Sequence, residues 1–401
     1  MHTKYDIIVI GAGIVGLASA LKIKESNPSF NILILEKESD VAAHQTGHNS
    51  GVIHSGLYYK PGSKKAINCI NGYNLLLDFC DKNDVPYDLC GKIVVATNQE
   101  ELSKLDTLFH RGKENGLDGF KLLKAEELKE YEPHVNGLKG FYVPQTGIVD
   151  YSVVAQKYAD NLTALGADIK FQTKVLKIEE RSNSSIIKTT SGDYEAKLVV
   201  NCAGLYSDKI ARHTEDKLDL KIVPFRGEYF KLKKEKEYLV KNLIYPVPDP
   251  SFPFLGVHFT RMMKGGVEAG PNAVLAFKRE GYTKSDIDFA ELFETLTWPG
   301  FIKVASKYWK TGFGEMYRSF SKKAFTKALQ NLIPEITVND LVEGGSGVRA
   351  QACDRSGGLI DDFMIIENKK AINVCNAPSP AATSSLSIGE HVAGIVDKKL
   401  N

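Results

Sequence analysis

The sequence predicts an α/β fold, α+β overall, with one domain on a parallel sheet and an interleaved second domain on a mostly antiparallel sheet. Two observations predict it: a strand–turn–helix–strand unit fills residues 5–36, and polar and apolar residues alternate from 221 to 284. Pieces that suit a parallel sheet recur at the beginning, middle and end of the chain, so the first domain is interrupted twice. The predicted boundaries are 1–88, 150–218 and 342–401 for the first domain, and 89–149 with 219–341 for the second.

The first unit has a βαβ pattern. Residues 5–10 form a short β-branched run that suits a strand buried on both faces. A helix pattern begins at Leu17 and ends near Asn27-Pro28, and a second apolar strand covers 31–35. The crossover that joins these parallel strands should be right-handed.

The turn of this unit carries a Gly-x-Gly-x-x-Gly motif at Gly11, Gly13 and Gly16. Gly11 permits the tight turn, Gly13 lets backbone amides approach a pyrophosphate, and Gly16 allows the helix to pack closely on the strand. The helix N-terminus then faces the phosphates with its partial positive charge. Glu36 ends the second strand, where a carboxylate can accept hydrogen bonds from ribose hydroxyls. The unit predicts a dinucleotide cofactor and does not by itself separate FAD from NAD.

The remaining elements follow in chain order. They are a loop lining a site over 41–62, a helix over 64–83, strands and turns over 90–149, a helix over 151–164, a strand over 168–180 and a strand over 198–204. After the alternating stretch, residues 286–331 predict helices, and 344–396 predict Gly-rich loops, a hairpin and a closing helix.

Charge and cysteine usage exclude several classes of protein. Lys and Arg total 51 against 49 Asp and Glu, a net charge of +2, so no basic excess indicates a nucleic-acid partner. The six cysteines form no C-x-x-C pair and have no zinc spacing, which predicts free thiols in a reducing compartment and no metal site. No apolar run approaches the roughly 20 residues that span a bilayer, and three glycines interrupt the apolar N-terminus where a signal peptide would need its core. We expect a cytoplasmic protein, with peripheral attachment to the inner face of the cell membrane left open.

Two further segments favour FAD over NAD. His48-Asn-Ser-Gly-Val-Ile-His54-Ser-Gly-Leu-Tyr-Tyr59 offers small residues for close approach to a flat ring, together with imidazole and phenol groups. Val199-Val-Asn-Cys-Ala-Gly204-Leu-Tyr-Ser-Asp208 is a strand that ends in small residues beside the expected path of the cofactor.

This arrangement resembles the D-amino-acid-oxidase-like flavoproteins, a superfamily that includes glycine oxidase, sarcosine oxidase and glycerol-3-phosphate dehydrogenase. More narrowly, the chain resembles the L-2-hydroxyglutarate dehydrogenase/oxidase family over essentially its whole length. The strings that carry this resemblance are 48–59, Pro224-Phe-Arg-Gly-Glu-Tyr229, Leu255-Gly-Val-His-Phe-Thr260, Gly270-Pro-Asn-Ala-Val-Leu-Ala-Phe-Lys-Arg-Glu-Gly-Tyr282, Gly347-Val-Arg-Ala-Gln351 and Asn376-Ala-Pro-Ser-Pro-Ala-Ala-Thr-Ser-Ser385.

The resemblance implies FAD-dependent oxidation of L-2-hydroxyglutarate to 2-oxoglutarate, with a hydride passing from C2 to flavin N5. The motifs and the resemblance together predict the following cofactor-binding residues: Gly11, Gly13, Ile14, Val15, Gly16, Glu36, Lys37, Thr46, Asn49, Ser50, Gly51, Val175, Ala203, Gly204, Pro380, Ala381, Ala382, Thr383 and Ser384. The donors of residues 377–385 suit the flavin pyrimidine edge, where negative charge grows on reduction. An ordinary loop and helix cap is the alternative.

Such a reaction needs a base for the hydroxyl proton, and imidazole has the best-suited unperturbed pKa. His54 and His258 both lie in Gly-flanked segments of the resemblance, and either is a candidate; a structural or flavin-contacting role is the alternative for each. In relatives such as dimethylglycine dehydrogenase a histidine at a similar place anchors the flavin covalently. The residues around His54 differ from that pattern, so we expect non-covalent FAD.

A dicarboxylate substrate needs fixed cationic donors, and arginine binds a carboxylate bidentately. Arg349 is the leading candidate, with a surface salt bridge as the alternative. The other predicted substrate-binding residues are Arg226, Lys278, Arg279, Tyr58, Tyr59 and Tyr282.

The segment 298–327 interleaves aromatic and basic residues and contains both tryptophans of the chain. This pattern is typical of a helix at a lipid surface, and an amphipathic helix packing its aromatics on the sheet is the alternative. The membrane interpretation of the helical region 286–331 favours a quinone as electron acceptor, and the packing interpretation favours oxygen or a soluble acceptor.

Two other functions fit the same fold. A flavin amine oxidase of the glycine/sarcosine type would oxidise an amine in place of the hydroxyl. A flavin-binding subunit without turnover of its own is a third hypothesis, because fold does not prove function. The abundance of His, Tyr and Arg in the predicted site favours an enzyme.

Overall fold

The computed structural model describes residues 3–248 and 255–400. The helices are α1 (Ile14–Ser26), α2 (Lys64–Lys82), α3 (Gln99–Glu114), α4 (Ala125–Tyr131), α5 (Tyr151–Ala164), α6 (Ser207–Ala211), α7 (Phe289–Leu296), α8 (Pro299–Phe320), α9 (Lys322–Leu329) and α10 (Ser385–Leu400). The strands are β1 (Thr3–Ile10), β2 (Ile32–Leu35), β3 (Val52–Ile53), β4 (Tyr87–Asp88), β5 (Lys92–Ala96), β6 (Lys121–Lys124), β7 (Lys139–Val143), β8 (Gly147–Val149), β9 (Asp168–Lys170), β10 (Val175–Glu180), β11 (Ser185–Thr189), β12 (Gly192–Asn201), β13 (Leu220–Leu232), β14 (Leu243–Pro246), β15 (His258–Arg261), β16 (Val267–Gly270), β17 (Val274–Leu275), β18 (Leu341–Asp354), β19 (Met364–Glu367) and β20 (Ala371–Asn376).

The first sheet has a parallel centre with the order β20–β12–β1–β2–β9, and antiparallel strands β10, β11 and β19 extend it. Its central strand is buried on both faces: Ile7 and Val9 belong to the core under α1, α5 and α10, whereas Ile8 and Ile10 belong to a separate core on the opposite face. The predicted βαβ unit is therefore confirmed. Its second strand leads directly to Glu36 at the carboxyl edge of the sheet.

The second sheet has the order β17–β13–β16–β15–β14–β5–β7–β6, with β18 paired to β13 along its length. Every pairing in it is antiparallel except that of β14 with β5, which confirms the predicted fold class. Ile244 and Phe259 face a core that is closed by α9, whereas Tyr245 and His258 point to the other face. That other face borders the cavity described below.

Two sequence predictions about elements were wrong. Residues 168–180 form two strands, because Gln172 adopts a positive φ of 53° that ends β9 and starts a turn. β9 joins one edge of the first sheet beside β2, and β10 joins the opposite edge beside β11. Residues 90–149 contain the helices α3 and α4 besides strands. α3 buries only Leu105, Leu108 and Gly112, so its apolar stripe is too narrow to stand out in the sequence.

The predicted helices over 286–331 are confirmed as α7, α8 and α9. Trp298, Phe301 and Phe325 are buried and hold these helices against the second sheet. Within the described ranges, no helix is long and apolar enough to cross a bilayer.

Candidate active site

A cavity of about 950 Å³ lies between the two sheets. Its lining includes the Gly-rich turn after β1, the acidic end of β2, the loop over 42–54 and the segment 376–382 from the first domain. The second sheet contributes Tyr229, Tyr245, His258 and Arg349. A pocket of this size, at the carboxyl edge of a parallel sheet, is large enough for a dinucleotide with a small substrate.

The Gly-rich turn has the geometry that the motif predicts. Gly11 has a φ of +103°, and a Cβ added there would lie 2.6 Å from the Cys202 carbonyl oxygen. A Cβ on Gly16 would lie 2.0 Å from the Gly11 carbonyl oxygen, so α1 packs on the turn in a way that excludes any side chain. Gly13 lines the cavity and precedes the first turn of α1, where backbone N–H groups can meet phosphate.

Glu36 organises the same turn from the end of β2. One carboxylate oxygen accepts a hydrogen bond from the Ala12 N–H at 2.8 Å, and the other accepts from the Glu38 N–H at 2.9 Å. The side chain is buried yet borders the cavity, so free lone pairs remain available to a ribose. The sequence indicated the ribose contact but not the support of the turn.

Residues 46–54 form a wall held by local hydrogen bonds. Thr46 Oγ1 accepts from the Ile14 N–H at 3.0 Å, which caps α1 with a hydroxyl. Asn49 donates to the Thr46 carbonyl at 2.6 Å and accepts from the Gly51 N–H at 2.8 Å. Gly51 has a φ of +68°, which favours glycine at this turn.

Most of the predicted cofactor-binding residues line the cavity; the exceptions are Gly16, Gly51, Thr383 and Ser384. Thr383 stands behind the wall, where its hydroxyl accepts from the His54 N–H at 3.1 Å and lies 2.8 Å from the Tyr151 hydroxyl. Ser384 is buried, and its hydroxyl has no hydrogen-bond partner within the described part of the chain. Thr383 thus supports the wall from behind rather than forming its surface.

Lys37 lies in a compact charged cluster at the same cavity. Its ammonium lies 2.6 Å from a Glu280 carboxylate oxygen and 2.9 Å from His44 Nε2, and it also contacts Glu38. Glu38, His44 and Glu280 have metal-ligand chemistry and geometry, but the Lys37 ammonium already contacts both carboxylates and the imidazole.

His258 is placed by β15 with its ring against Tyr245, at a centroid distance of 4.0 Å. Its Nδ1 lies 2.9 Å from the Gly256 carbonyl oxygen, which can only accept, so Nδ1 carries the proton and Nε2 keeps a lone pair. Burial lowers the pKa of His258 to about 4, and the nearby charges of Arg349 and Lys92 act in the same direction. The neutral ring is therefore chemically able to accept a proton.

His54 also borders the cavity, in the wall formed by residues 46–54. Its Nε2 lies 3.3 Å from the Ser379 hydroxyl, so this ring is engaged with the segment 376–382. Burial, followed by the charges of Lys92 and His258, lowers the pKa of His54 to about 3.

Arg349 is carried into the cavity by β18, opposite Phe225 of β13. One guanidinium nitrogen donates to the Asn272 carbonyl at 3.3 Å. Burial lowers the pKa of Arg349, and Tyr229 and Glu315 oppose that shift. A guanidinium remains charged in proteins, so this side chain gives the cavity a fixed positive group.

The other predicted substrate-binding residues do not line the cavity; they are Tyr58, Tyr59, Arg226, Lys278, Arg279 and Tyr282. Arg279 forms a buried bidentate ion pair with Asp208 at 2.5 and 2.9 Å. Arg226 is paired with Glu228 at 3.0 Å and donates to a backbone carbonyl. The structure thus pairs both guanidinium groups with carboxylates away from the cavity lining.

Three residues of this region, Tyr229, Tyr245 and Lys92, were not predicted from the sequence. Tyr229 and Tyr245 border the cavity from the second sheet. Lys92, in β5, packs its ammonium against the rings of Tyr58 and Tyr245 at 4.5 and 4.9 Å from their centroids. A signal was present, because a lone charge opens the otherwise apolar strand Lys92-Ile-Val-Val-Ala96.

A dinucleotide turn, two neutral histidines and a fixed arginine on one cavity suit an oxidoreductase that uses a dinucleotide cofactor. The FAD-dependent oxidoreductase family model matches residues 6–395, and the chain belongs to that family. FAD as the cofactor is thereby confirmed.

The chain is also similar to individual proteins of this family. The chain is 64% identical over 386 residues to an L-2-hydroxyglutarate dehydrogenase of Indibacter alkaliphilus, covering 96% of this chain and 97% of the relative. It is 46% identical to the human mitochondrial L-2-hydroxyglutarate dehydrogenase, covering 99% of this chain and 89% of the relative. Among solved structures, the dithionite-reduced L-α-glycerophosphate oxidase of Mycoplasma pneumoniae with FAD bound superposes with a TM-score of 0.81 at 21% identity, covering 98% of this chain and 95% of that one. This last likeness supports the fold alone.

Proposed function

We propose that the chain oxidises L-2-hydroxyglutarate to 2-oxoglutarate. The observation that supports this most is the placement of Arg349, His258 and the Gly-rich turn on one cavity, in a chain whose relatives at 64% and 46% identity are L-2-hydroxyglutarate dehydrogenases. We assign the residues of the first sheet, within 1–88, 150–218 and 342–401, to the cofactor, and those of 89–149 and 219–341 to the substrate. The strand β18 pairs with β13 in the second sheet, so Arg349 belongs to the substrate side.

In this proposal Arg349 binds a substrate carboxylate with its guanidinium fork and so orients C2. His258 Nε2 accepts the hydroxyl proton. A carboxylate bound beside His258 raises the pKa of that histidine and makes it a stronger base than in the free enzyme. FAD, when bound, supplies the acceptor for the hydride that leaves C2. His54 and the segment 376–382 form the flavin side of the cavity, and we propose that the flavin is held non-covalently.

The first experiment is anaerobic mixing of the FAD-loaded protein with L-2-hydroxyglutarate, D-2-hydroxyglutarate, glycine or sarcosine, followed by flavin absorbance. Rapid bleaching by the L enantiomer alone is the expected result. Bleaching by the amines alone would replace the proposal with an amine oxidase. Flavin that none of the four reduces would favour a non-catalytic flavin-binding subunit. A colourless acid-precipitated pellet is expected if the flavin is non-covalent.

Arg349→Met tests the substrate contact. Loss of a hydrogen bond to a charged group costs about 1.5–3 kcal/mol, so kcat/KM should fall roughly 10- to 150-fold. Arg355→Met is the matched control, because Arg355 follows β18 and its side chain is 60% exposed. An equal loss in both variants would contradict the assignment.

His258→Asn and His54→Asn together test the base. We expect His258→Asn to lower the rate of flavin reduction by about 10²- to 10⁴-fold, because it removes the proton acceptor. His54→Asn should retain more activity while weakening FAD retention. The reverse order of losses would identify His54 as the base.

We further propose that α7 and α8 lie on an anionic lipid surface. Phe289, Phe293, Phe313 and Phe320 are each about 70–80% exposed, and Trp309 and Tyr317 are exposed nearby. The lysines at 303, 307 and 310 of α8 provide matching positive charge. Six free cysteines fit a reducing compartment, so we place this surface on the inner face of the cell membrane, with a quinone as electron acceptor.

Vesicle flotation tests the lipid surface. The protein should float with anionic vesicles and not with zwitterionic ones, and Trp309→Ser with Phe313→Ser should abolish flotation. Tyr238→Ser is the control, because Tyr238 is 59% exposed and lies outside α7 and α8. Wild-type protein that stays at the bottom of the gradient with anionic vesicles would overturn the proposal.

A further inference from the structure

Lys92 is a buried cation on the cavity side of the second sheet. Only 1% of its surface is exposed. In the register of the second sheet, Lys92 of β5 lies beside Leu243 of β14, and Leu243 lies beside Thr260 of β15. Two residues further along β14, Tyr245 lies beside His258 of β15. Because side chains alternate along a strand, Lys92 shares its face with Tyr245 and His258.

The three side chains form a continuous stack. The Lys92 ammonium lies 4.9 Å from the centroid of Tyr245, and the Tyr245 ring contacts His258 at 4.0 Å. Tyr58 covers the ammonium from a second direction at 4.5 Å. Aromatic faces stabilise a desolvated cation, but they do not neutralise it.

The charged and titratable groups around this stack are mainly neutral or positive. They are Cys69 and Lys65 from α2, Tyr58 and His54 from the preceding loop, Cys90 before β5, Tyr229 from β13, and Arg349 from β18. Within residues 3–248 and 255–400, no carboxylate forms an ion pair with Lys92. Burying an ammonium without a counter-ion costs several kcal/mol, so the fold retains a charge here that an apolar residue would replace at a gain in stability.

We propose that Lys92 is a positioning residue for the reaction: its charge, held against the Tyr245 ring that packs on His258, adds to burial in disfavouring protonation of the His258 ring. This inference rests on the proposed function for the role of His258. Burial lowers the pKa of Lys92 itself to about 7, so the ammonium is largely present below neutral pH. A positive neighbour disfavours protonation of an imidazole, and its removal should raise the pKa of His258.

The test is an ¹⁵N-imidazole NMR titration of the FAD-loaded protein, with the His258 signal identified by its loss in His258→Asn. In Lys92→Met the pKa of His258 should rise by on the order of one pH unit, whereas Lys92→Arg should keep it near the wild-type value. Lys139→Met is the matched control, because Lys139 lies in the same sheet, on β7, and is paired with Asp106. A His258 pKa that is unchanged in Lys92→Met would overturn the inference.

Lys92→Met should fold, and its melting temperature should equal or exceed that of the wild type, because methionine removes the cost of burying the charge. If that variant nevertheless failed to fold, the wild-type protein labelled with ¹³Cε-lysine still gives a test: one lysine should titrate near pH 7, and a full set titrating near 10 would overturn the inference.

Neither NMR experiment uses substrate, so the two proposals can fail separately. If L-2-hydroxyglutarate does not bleach the flavin while the pKa of His258 still depends on Lys92, only the proposed substrate is wrong. If substrate bleaches the flavin, the acid limb of the reduction rate should move to higher pH in Lys92→Met, and an unmoved limb would refute the positioning role.

Discussion

Replacing Arg279 by methionine isolates the buried ion pair that this side chain forms with Asp208. Asp208 is 1% exposed and Arg279 is 3% exposed, and two hydrogen bonds of 2.5 and 2.9 Å join them. Arg279 also donates to the Leu205 carbonyl at 2.5 Å. Arg279→Met therefore leaves a buried carboxylate without its ion-pair partner, which costs about 3–5 kcal/mol. An unfolding entropy of about 2.1 cal/mol/K per residue, taken over 401 residues, converts this loss to a melting temperature lower by about 4–6 °C.

The assay is a thermal melt followed by circular dichroism, with steady-state kinetics on the same preparations. Arg279→Met combined with Asp208→Leu should recover most of the loss, because apolar residues often replace a buried pair without cost. The remaining deficit of about 1 kcal/mol reflects the lost hydrogen bond from the Ile222 N–H to Asp208, at 3.2 Å. A melting temperature within about 1 °C of wild type in the single variant, together with a KM raised as in Arg349→Met, would show that Arg279 binds substrate and that the pair is not structural.

Three further outcomes follow from the described contacts. Gly16→Ala should be purified without flavin, as judged by the ratio of flavin to protein absorbance, because its Cβ would lie 2.0 Å from the Gly11 carbonyl oxygen; Gly394→Ala, with open space around it, should retain flavin. The pKa of His258 is lowered to about 4 in the folded state. The contribution of His258 to the free energy of unfolding is therefore fully present above pH 6.5 and decreases as the pH falls toward 4. The decrease reaches about 2 kcal/mol at pH 5, and melts of His258→Asn should show correspondingly less pH dependence. Tyr151→Phe should lower stability by about 1–2 kcal/mol in urea melts, because it removes two hydrogen bonds behind the cavity wall; an unchanged midpoint would contradict this.

The elements that could be predicted from the sequence are those whose local residue pattern is compatible with only one kind of secondary structure. The glycine at 16 and the buried runs 5–10 and 31–35 allow few structures other than a βαβ unit. α3 was missed because its exposed faces are charged and its buried stripe is short, although Asn98 caps it by accepting from the Glu101 N–H at 3.1 Å.

Side-chain partners could not be predicted in the same way. Arg226, Arg279 and Arg349 all occur in strings of the family resemblance, and their chemistry as residue types is identical. Glu228 pairs with Arg226 and Asp208 pairs with Arg279, whereas Arg349 alone of the three lines the cavity. The tertiary structure, which brings each arginine to its partner, therefore decides which of them can meet the substrate. Lys92 gave a weak local signal, but its meaning depends on Tyr245 and His258, which β14 and β15 bring beside it.

The packing of α10 on α1 has a consequence for synthesis of the chain. A Cβ on Gly389 of α10 would lie 2.5 Å from the Ala18 carbonyl oxygen of α1, so the two helices are in close contact although nearly the whole chain separates them. β20 likewise completes the sheet that β1 begins. Because chains emerge from the ribosome N-terminus first, the part of α1 that α10 covers stays exposed until translation has passed residue 400. The first domain therefore completes its packing only after the last helix has been made, although its first strand and helix are the first to leave the ribosome.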